Sequence, residues 1–149
     1  MISFKKLVAM PLVVALLVAG CSSAAATAAP TQAPGAAGAT VMAGTAGGGT
    51  VLVAGSNGKT VYEFSKDTAN SGTSACSGGC ATTWPPLTVS AGTTPTAGSG
   101  ATGTVGTITR ADGGALQVTY NGLPLYFYSG DHAAGDTNGN YPGWSPAKP

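Results

Sequence analysis

The chain has 149 residues, of which 24 are glycine and 10 proline, while Asp, Glu, Lys and Arg together make up only 7%. Beyond residue 20 the charged side chains are Lys59, Lys66, Arg110 and Lys148 against Glu63, Asp67, Asp112, Asp131 and Asp136, a formal net charge of −1. That balance supplies no basic footprint for nucleic acid and no field to steer an ionic substrate, and the length leaves room for one modest domain.

Lys5 and Lys6 precede an almost wholly apolar run, Leu7 to Val18, which is shorter than the ~20 residues a bilayer-spanning helix needs. Residues 1–20 therefore read as a signal peptide. The run closes on Val18-Ala19-Gly20-Cys21, which resembles a bacterial lipobox. That resemblance implies Cys21 as the lipid-attachment residue, anchoring the chain to a membrane of the cell envelope on its extracytoplasmic side. Residues 21–39 hold the cysteine and then only Ala, Ser, Thr, Pro, Gly and one Gln, so they cannot bury enough apolar surface to offset chain entropy. They read as a tether with a reach of about 20–25 Å.

From Thr40 onward the chain repeats itself. Residues 57–67, Asn-Gly-Lys-Thr-Val-Tyr-Glu-Phe-Ser-Lys-Asp, align with residues 121–131, Asn-Gly-Leu-Pro-Leu-Tyr-Phe-Tyr-Ser-Gly-Asp, with five of eleven positions identical and all 64 apart. A tryptophan follows each copy, Trp84 and Trp144. Asn-Gly between two strand-like runs is the preferred pair for a type I′ turn, in which both central residues need positive φ. Two β-hairpins are predicted, about 51–64 and 115–128. The first places Val51, Val53, Tyr62 and Phe64 on one face and Leu52, Ala54, Val61 and Glu63 on the other. The second places Leu116, Val118, Leu125 and Phe127 opposite Ala115, Gln117, Tyr126 and Tyr128. No face is plainly polar, so cover is expected on both sides. Pro124, paired with Thr119, should turn its missing N–H away from the hairpin and mark an edge. Val105 to Thr109 reads as a further strand with a counterpart beginning at Val41. The expected fold is all-β: a small antiparallel sandwich or barrel of two homologous repeats, about 40–103 and 104–149, in pseudo-twofold relation within one domain, 40–149. No amphipathic helix is expected beyond the leader.

Taken in order, Tyr62-x-Phe64-x-x-Asp67, Cys76-x-x-x-Cys80-x-x-x-Trp84-Pro85-Pro86, Thr109-Arg110-x-Asp112-Gly113, Gln117-Val118-Thr119-Tyr120-Asn121-Gly122-x-Pro124-Leu125-Tyr126 and Asp131 resemble one family, the bacterial secreted-repeat lipoproteins with a Tyr-x-(Phe/Trp/Tyr)-x-x-Asp motif. The resemblance spans about 40–149 and implies a secreted repeat whose function is unknown. The copies differ: the second has no cysteines, and Trp144-Ser145-Pro146 stands for Trp-Pro-Pro.

Cys76 and Cys80 flank a short flexible segment, and in an oxidising compartment they are expected to pair as a disulfide contributing about 2 kcal/mol. A zinc site would need two further ligands where the domain offers only His132 and carboxylates, and no Cys-x-x-Cys-His motif attaches haem. Asp67 and Asp131 follow the aromatic motifs at the same offset, as suits carboxylates that accept backbone N–H groups in turns. Asp136 to Asn140 looks like the start of a calcium loop, with Asp131, Asp136 and Asn138 as possible oxygen donors, but Tyr141 replaces the required glycine and Ala147 the closing glutamate. Hydrolase chemistry is hard to build, since the lone histidine lies in a loop and no nucleophile elbow surrounds any serine. No catalytic residue, metal or cofactor is therefore expected. The leading expectation is a membrane-anchored, non-catalytic binding or scaffolding domain whose partner is an envelope protein or surface ligand. The alternative is a redox accessory or electron-transfer partner using the Cys76/Cys80 loop or the aromatics beside it.

Overall fold

The computed structural model describes residues 40–149; the expected signal peptide, Cys21 and the tether lie outside the described residues. Val41–Ala46 (β1) and Gly49–Ala54 (β2) form an antiparallel hairpin. Its two-residue turn is Gly47-Gly48, with φ of 56° and 77°, because only residues free of a Cβ penalty take this mirror-image turn easily. Tyr62–Phe64 (β3) follows, then a single helical turn, Gly79–Thr83 (α1), and the short strand Thr88–Val89 (β4). The second repeat supplies Val105–Thr109 (β5), Leu116–Tyr120 (β6), Leu123–Pro124 (β7) and Trp144–Pro146 (β8). These strands build three small antiparallel sheets, β1-β2, β3-β8 and β4-β6-β5 with β7 also on β6, and they do not close into a barrel.

The second Asn-Gly turn forms as expected. Asn121 and Gly122 have φ of 50° and 83°, and Thr119 pairs with Pro124. The predicted hairpin 115–128 nevertheless forks after Leu125. Pro85 to Val89 inserts between its arms: Phe127 N donates to Pro85 O, Leu87 N to Leu125 O, and β4 pairs with Leu116 and Gln117. The Gln117 amide bridges the fork by donating to Leu125 O at 2.9 Å.

The first Asn-Gly is not a type I′ turn. Gly58 has φ 69° but Asn57 does not share it, and the loop runs over four residues between Ala54 and Lys59. Asn57 instead accepts the Lys59 N–H on its side-chain oxygen at 2.9 Å. Val53 pairs with Thr60, and Val61 N donates to Leu52 O, two positions away from the predicted register. A shift of two preserves faces. Leu52, Ala54 and Val61 therefore still share one core with Val118 and Leu125, while Val51 and Val53 pack with Met42 and Ala46. The larger core draws on both repeats, so neither can bury its apolar surface without the other.

The unforeseen helix α1 is one turn long, below what hydrophobic periodicity can reveal. It begins inside the Cys76–Cys80 staple and ends where Trp84 N donates to Cys80 O at 2.8 Å.

Candidate functional site

The repeats meet at a seam built from the Tyr-x-aromatic-x-x-Asp motifs. Tyr62 and Tyr126 exchange backbone hydrogen bonds, N to O, at 2.8 and 3.0 Å. Sheet β3-β8 extends the seam by pairing Phe64 of the first repeat with Trp144 of the second. Because the motif tyrosines face each other across this axis, each hydroxyl reaches the aspartate of the opposite copy. Tyr62 Oη donates to Asp131 Oδ2 at 2.5 Å, and Tyr126 Oη donates to Asp67 Oδ2 at 2.6 Å. The second carboxylate oxygens accept backbone N–H groups, Asn138 N at Asp131 and Ala75 N at Asp67. Burial, followed by the hydrogen bond to its aspartate, raises each tyrosine well above the ordinary phenol range. Each aspartate accepts a backbone N–H, but from a residue 8 or 7 positions further along rather than from its own tight turn, and it also accepts the cross-repeat tyrosine bond.

The motif aromatics stack into one column. Trp84 and Trp144 lie face to face, with centroids 3.8 Å apart and planes 1° from parallel. Phe64 stacks on the far side of Trp144 at 4.2 Å, and Tyr128 lies over Trp84 at 4.7 Å, tilted by 38°. The order Phe64, Trp144, Trp84, Tyr128 alternates between repeats, so each tryptophan is sandwiched by rings from the opposite copy. Tyr62 and Tyr126 close the sides edge-on. Offset and edge contacts of this kind contribute about 0.5–1.5 kcal/mol each beyond area burial. At one end of the column, Phe64 and Trp144 border a depression of about 360 Å³ shared with Glu63, Asp67 and Leu123. Burial pushes the Glu63 carboxyl up. At the other end Tyr141 packs edge-on against Trp84 and Tyr128, and its hydroxyl lies 3.1 Å from that of Tyr128. Tyr141 is 50% exposed.

Cys76 and Cys80 form the expected disulfide, with Cys76 fully buried beside the column. The loop is held by Arg110, whose role was not anticipated. All five guanidinium N–H groups are engaged: Nε and Nη2 with Asp112 at 2.7 and 2.6 Å, Nη2 also with Cys76 O at 2.7 Å, and Nη1 with Gln117 Oε1 and Ser74 Oγ at 2.6 and 3.2 Å. Asp112 raises the guanidinium pKa further, and Arg110 in turn lowers the Asp112 carboxyl. An arginine of the second repeat thus clasps the cysteine loop of the first. The signal available in the sequence was Thr109-Arg110-x-Asp112, since a guanidinium two residues from a carboxylate can pair bidentately.

In the loop that looked like a calcium site, Asp136 Oδ2 accepts the N–H groups of His132 and Ala133, which lower its carboxyl pKa. Asp131 is turned inward to Tyr62, and Asn138 donates its side-chain amide to Gly130 O. Among the described residues no group of three or more His, Cys, Asp or Glu side chains converges.

A family model described as a secreted repeat of unknown function matches the chain twice, over residues 42–88 and 106–148. No curated protein and no solved structure matches it. The two matched segments divide the motif tyrosines, aspartates and tryptophans equally, one set per copy, as the seam requires. The chain belongs to this secreted-repeat family, whose description suggests an extracytoplasmic location.

Proposed function

We propose that the protein is a lipid-anchored component of the cell envelope whose β-domain is a non-catalytic binding or scaffolding module, with the Tyr141 end of the aromatic column as its contact surface. The observation that carries this reading is Tyr141 itself. It is a half-exposed aromatic side chain held edge-on by Trp84 and Tyr128, and so pre-ordered at the surface. A rigid aromatic with a polar tip makes a strong anchor because little rotamer entropy is lost when it is covered. Replacing Tyr141 by a photoreactive phenylalanine analogue in intact cells tests it. A discrete cross-linked product at position 141 and none at the exposed Thr94 is expected; equal labelling at both would overturn it.

The anchor rests on Val18-Ala19-Gly20-Cys21. Cys21→Ala is expected to abolish acylation and release the chain, and mass spectrometry of the mature N-terminus decides the matter: an unmodified first residue would refute the assignment.

The stacked column favours a second reading, an electron-transfer partner. Four rings at successive separations of 4.2, 3.8 and 4.7 Å make a continuous π path. Photo-oxidation should leave a radical that reaches Tyr141 in the wild type and not in Trp84→Leu; a radical yield at Tyr141 unaffected by that change would eliminate the reading.

A further inference from the structure

Strand β5 is the outer strand of its sheet, with β6 on one side. Asn121 N donates to Thr104 O, and Arg110 N to Ala115 O, so the even-numbered residues between them turn their backbone groups toward β6. Val105, Thr107 and Thr109 turn theirs outward, where no backbone partner meets them among the described residues. Folded proteins usually blunt such an edge with charge, proline or a bulge. Val-Gly-Thr-Ile-Thr carries none of these, and Thr107 and Thr109 are exposed. The cation that follows, Arg110, is turned inward and is 5% exposed, so it does not guard the edge either.

We infer that this edge pairs antiparallel with the same edge of a second copy of the chain, joining two sheets across a twofold axis at Thr107. The register is self-complementary. Thr107 faces Thr107 of the second copy, Val105 faces its Thr109, and Thr109 its Val105. The three residues whose N–H and C=O groups are free in one copy are thus the three that meet free groups in the other. The strand is uncharged, so the twofold axis brings no like charges together, and an uncharged β-branched strand is what the opposing edge accepts. The edge lies in a different sheet from the aromatic column, and the inference does not depend on the Tyr141 reading.

The twofold axis gives a specific test. Residues facing each other in a hydrogen-bonded antiparallel pair have Cα atoms about 5.5 Å apart, within the range a disulfide spans. Thr107→Cys in the full chain, oxidised with copper phenanthroline in intact cells, should give a covalent homodimer, and the exposed control Thr94→Cys should not. Thr107→Pro removes an N–H that makes no bond inside the fold, and the detergent-solubilised variant should sediment as a monomer where the wild type sediments as a dimer. A wild type that stays monomeric, or a Thr107→Cys dimer yield no higher than that of Thr94→Cys, overturns the proposal. So does a Thr107→Cys cross-link to a different protein, which would assign the edge to another chain's strand.

Discussion

Replacing Tyr62 by Phe removes one oxygen from the seam and leaves the ring in place. The lost hydroxyl donates to Asp131 Oδ2 and accepts the Gly139 N–H at 3.3 Å. Asp131 is only 3% exposed, so water cannot take the vacated position, and the carboxylate keeps only the Asn138 N–H. A hydrogen bond to a charged group contributes about 1.5–3 kcal/mol, and stranding a buried acceptor adds to the loss, which puts Tyr62→Phe at about 2–4 kcal/mol. Tyr126→Phe removes the equivalent bond to Asp67 and the 2.7 Å hydrogen bond between its hydroxyl and Ser74 Oγ, but Asp67 and Ser74 are both half-buried and water can replace the hydroxyl, so its cost should be about 0.5–1.5 kcal/mol. At about 4 °C per kcal/mol for a domain of this size, the two variants should melt some 8–16 °C and 2–6 °C below the wild type. The double variant Tyr62→Phe/Asp131→Ala should recover part of the loss, because it removes the stranded charge. Thermal melts followed by circular dichroism decide between the two. If Tyr126→Phe proves the costlier change, or Tyr62→Phe melts like the wild type, the reasoning from burial is refuted.

Other perturbations report on the remaining parts. Arg110→Met should cost about 2–5 kcal/mol in urea unfolding, since it strands the buried Gln117 and Cys76 acceptors while the exposed Asp112 is rehydrated; a cost below about 1 kcal/mol would show that the clasp is idle. Tyr62 and Tyr126 are both raised from the ordinary value of 10.0, so stability from keeping them neutral is complete below about pH 10 and falls as pH climbs above it. Difference titrations at 295 nm against Tyr62→Phe and Tyr126→Phe should show each of these two phenols ionising only with unfolding, and ionisation of either one before the fold is lost would contradict this. Gly122→Val forces a β-branched residue to φ 83°, with its Cβ 2.8 Å from Asn70 N, and should cost upward of about 1–3 kcal/mol, whereas His132→Ala, in an exposed loop, should shift stability by less than about 0.5 kcal/mol in the same melts.

What the sequence disclosed depended on how local the determining contacts were. Asn121-Gly122 was legible because a two-residue turn with adjoining strands needs only neighbours in the chain. The same dipeptide at Asn57-Gly58 misled, because Asn57 spends its side chain on the Lys59 N–H and the hairpin loop lengthens to four residues. The grouping of Leu52, Ala54 and Val61 survived, since a slip of two keeps side chains on their own side, but Tyr62 and Phe64 pack in the aromatic column rather than with Val51 and Val53. The equal offsets of Tyr62-Asp67 and Tyr126-Asp131 announced a shared role but not a crossed one. Whether a tyrosine meets the aspartate of its own copy or of the other is decided by the Tyr62–Tyr126 backbone pairing, which no spacing records. The fork at Leu125 was hidden for a similar reason. Pro85 to Val89 comes from the other repeat, and periodicity within 115–128 says nothing of a strand wedged between its arms. The column was half visible as a list of aromatics, but Trp84 lies 20 residues beyond Phe64 and Trp144 only 16 beyond Tyr128, so the repeat alone did not align them as a stacked pair.

That the two repeats form a single cooperative body around the seam can be tested most directly by native-state amide hydrogen exchange at Tyr62 and Tyr126. Their N–H groups donate to each other's carbonyls, so neither can exchange unless the repeats part. Both amides should exchange with the same free energy, equal to that of global unfolding and lowered together by Tyr62→Phe. Exchange of either amide well below the global value, or a response confined to one of them, would contradict the account.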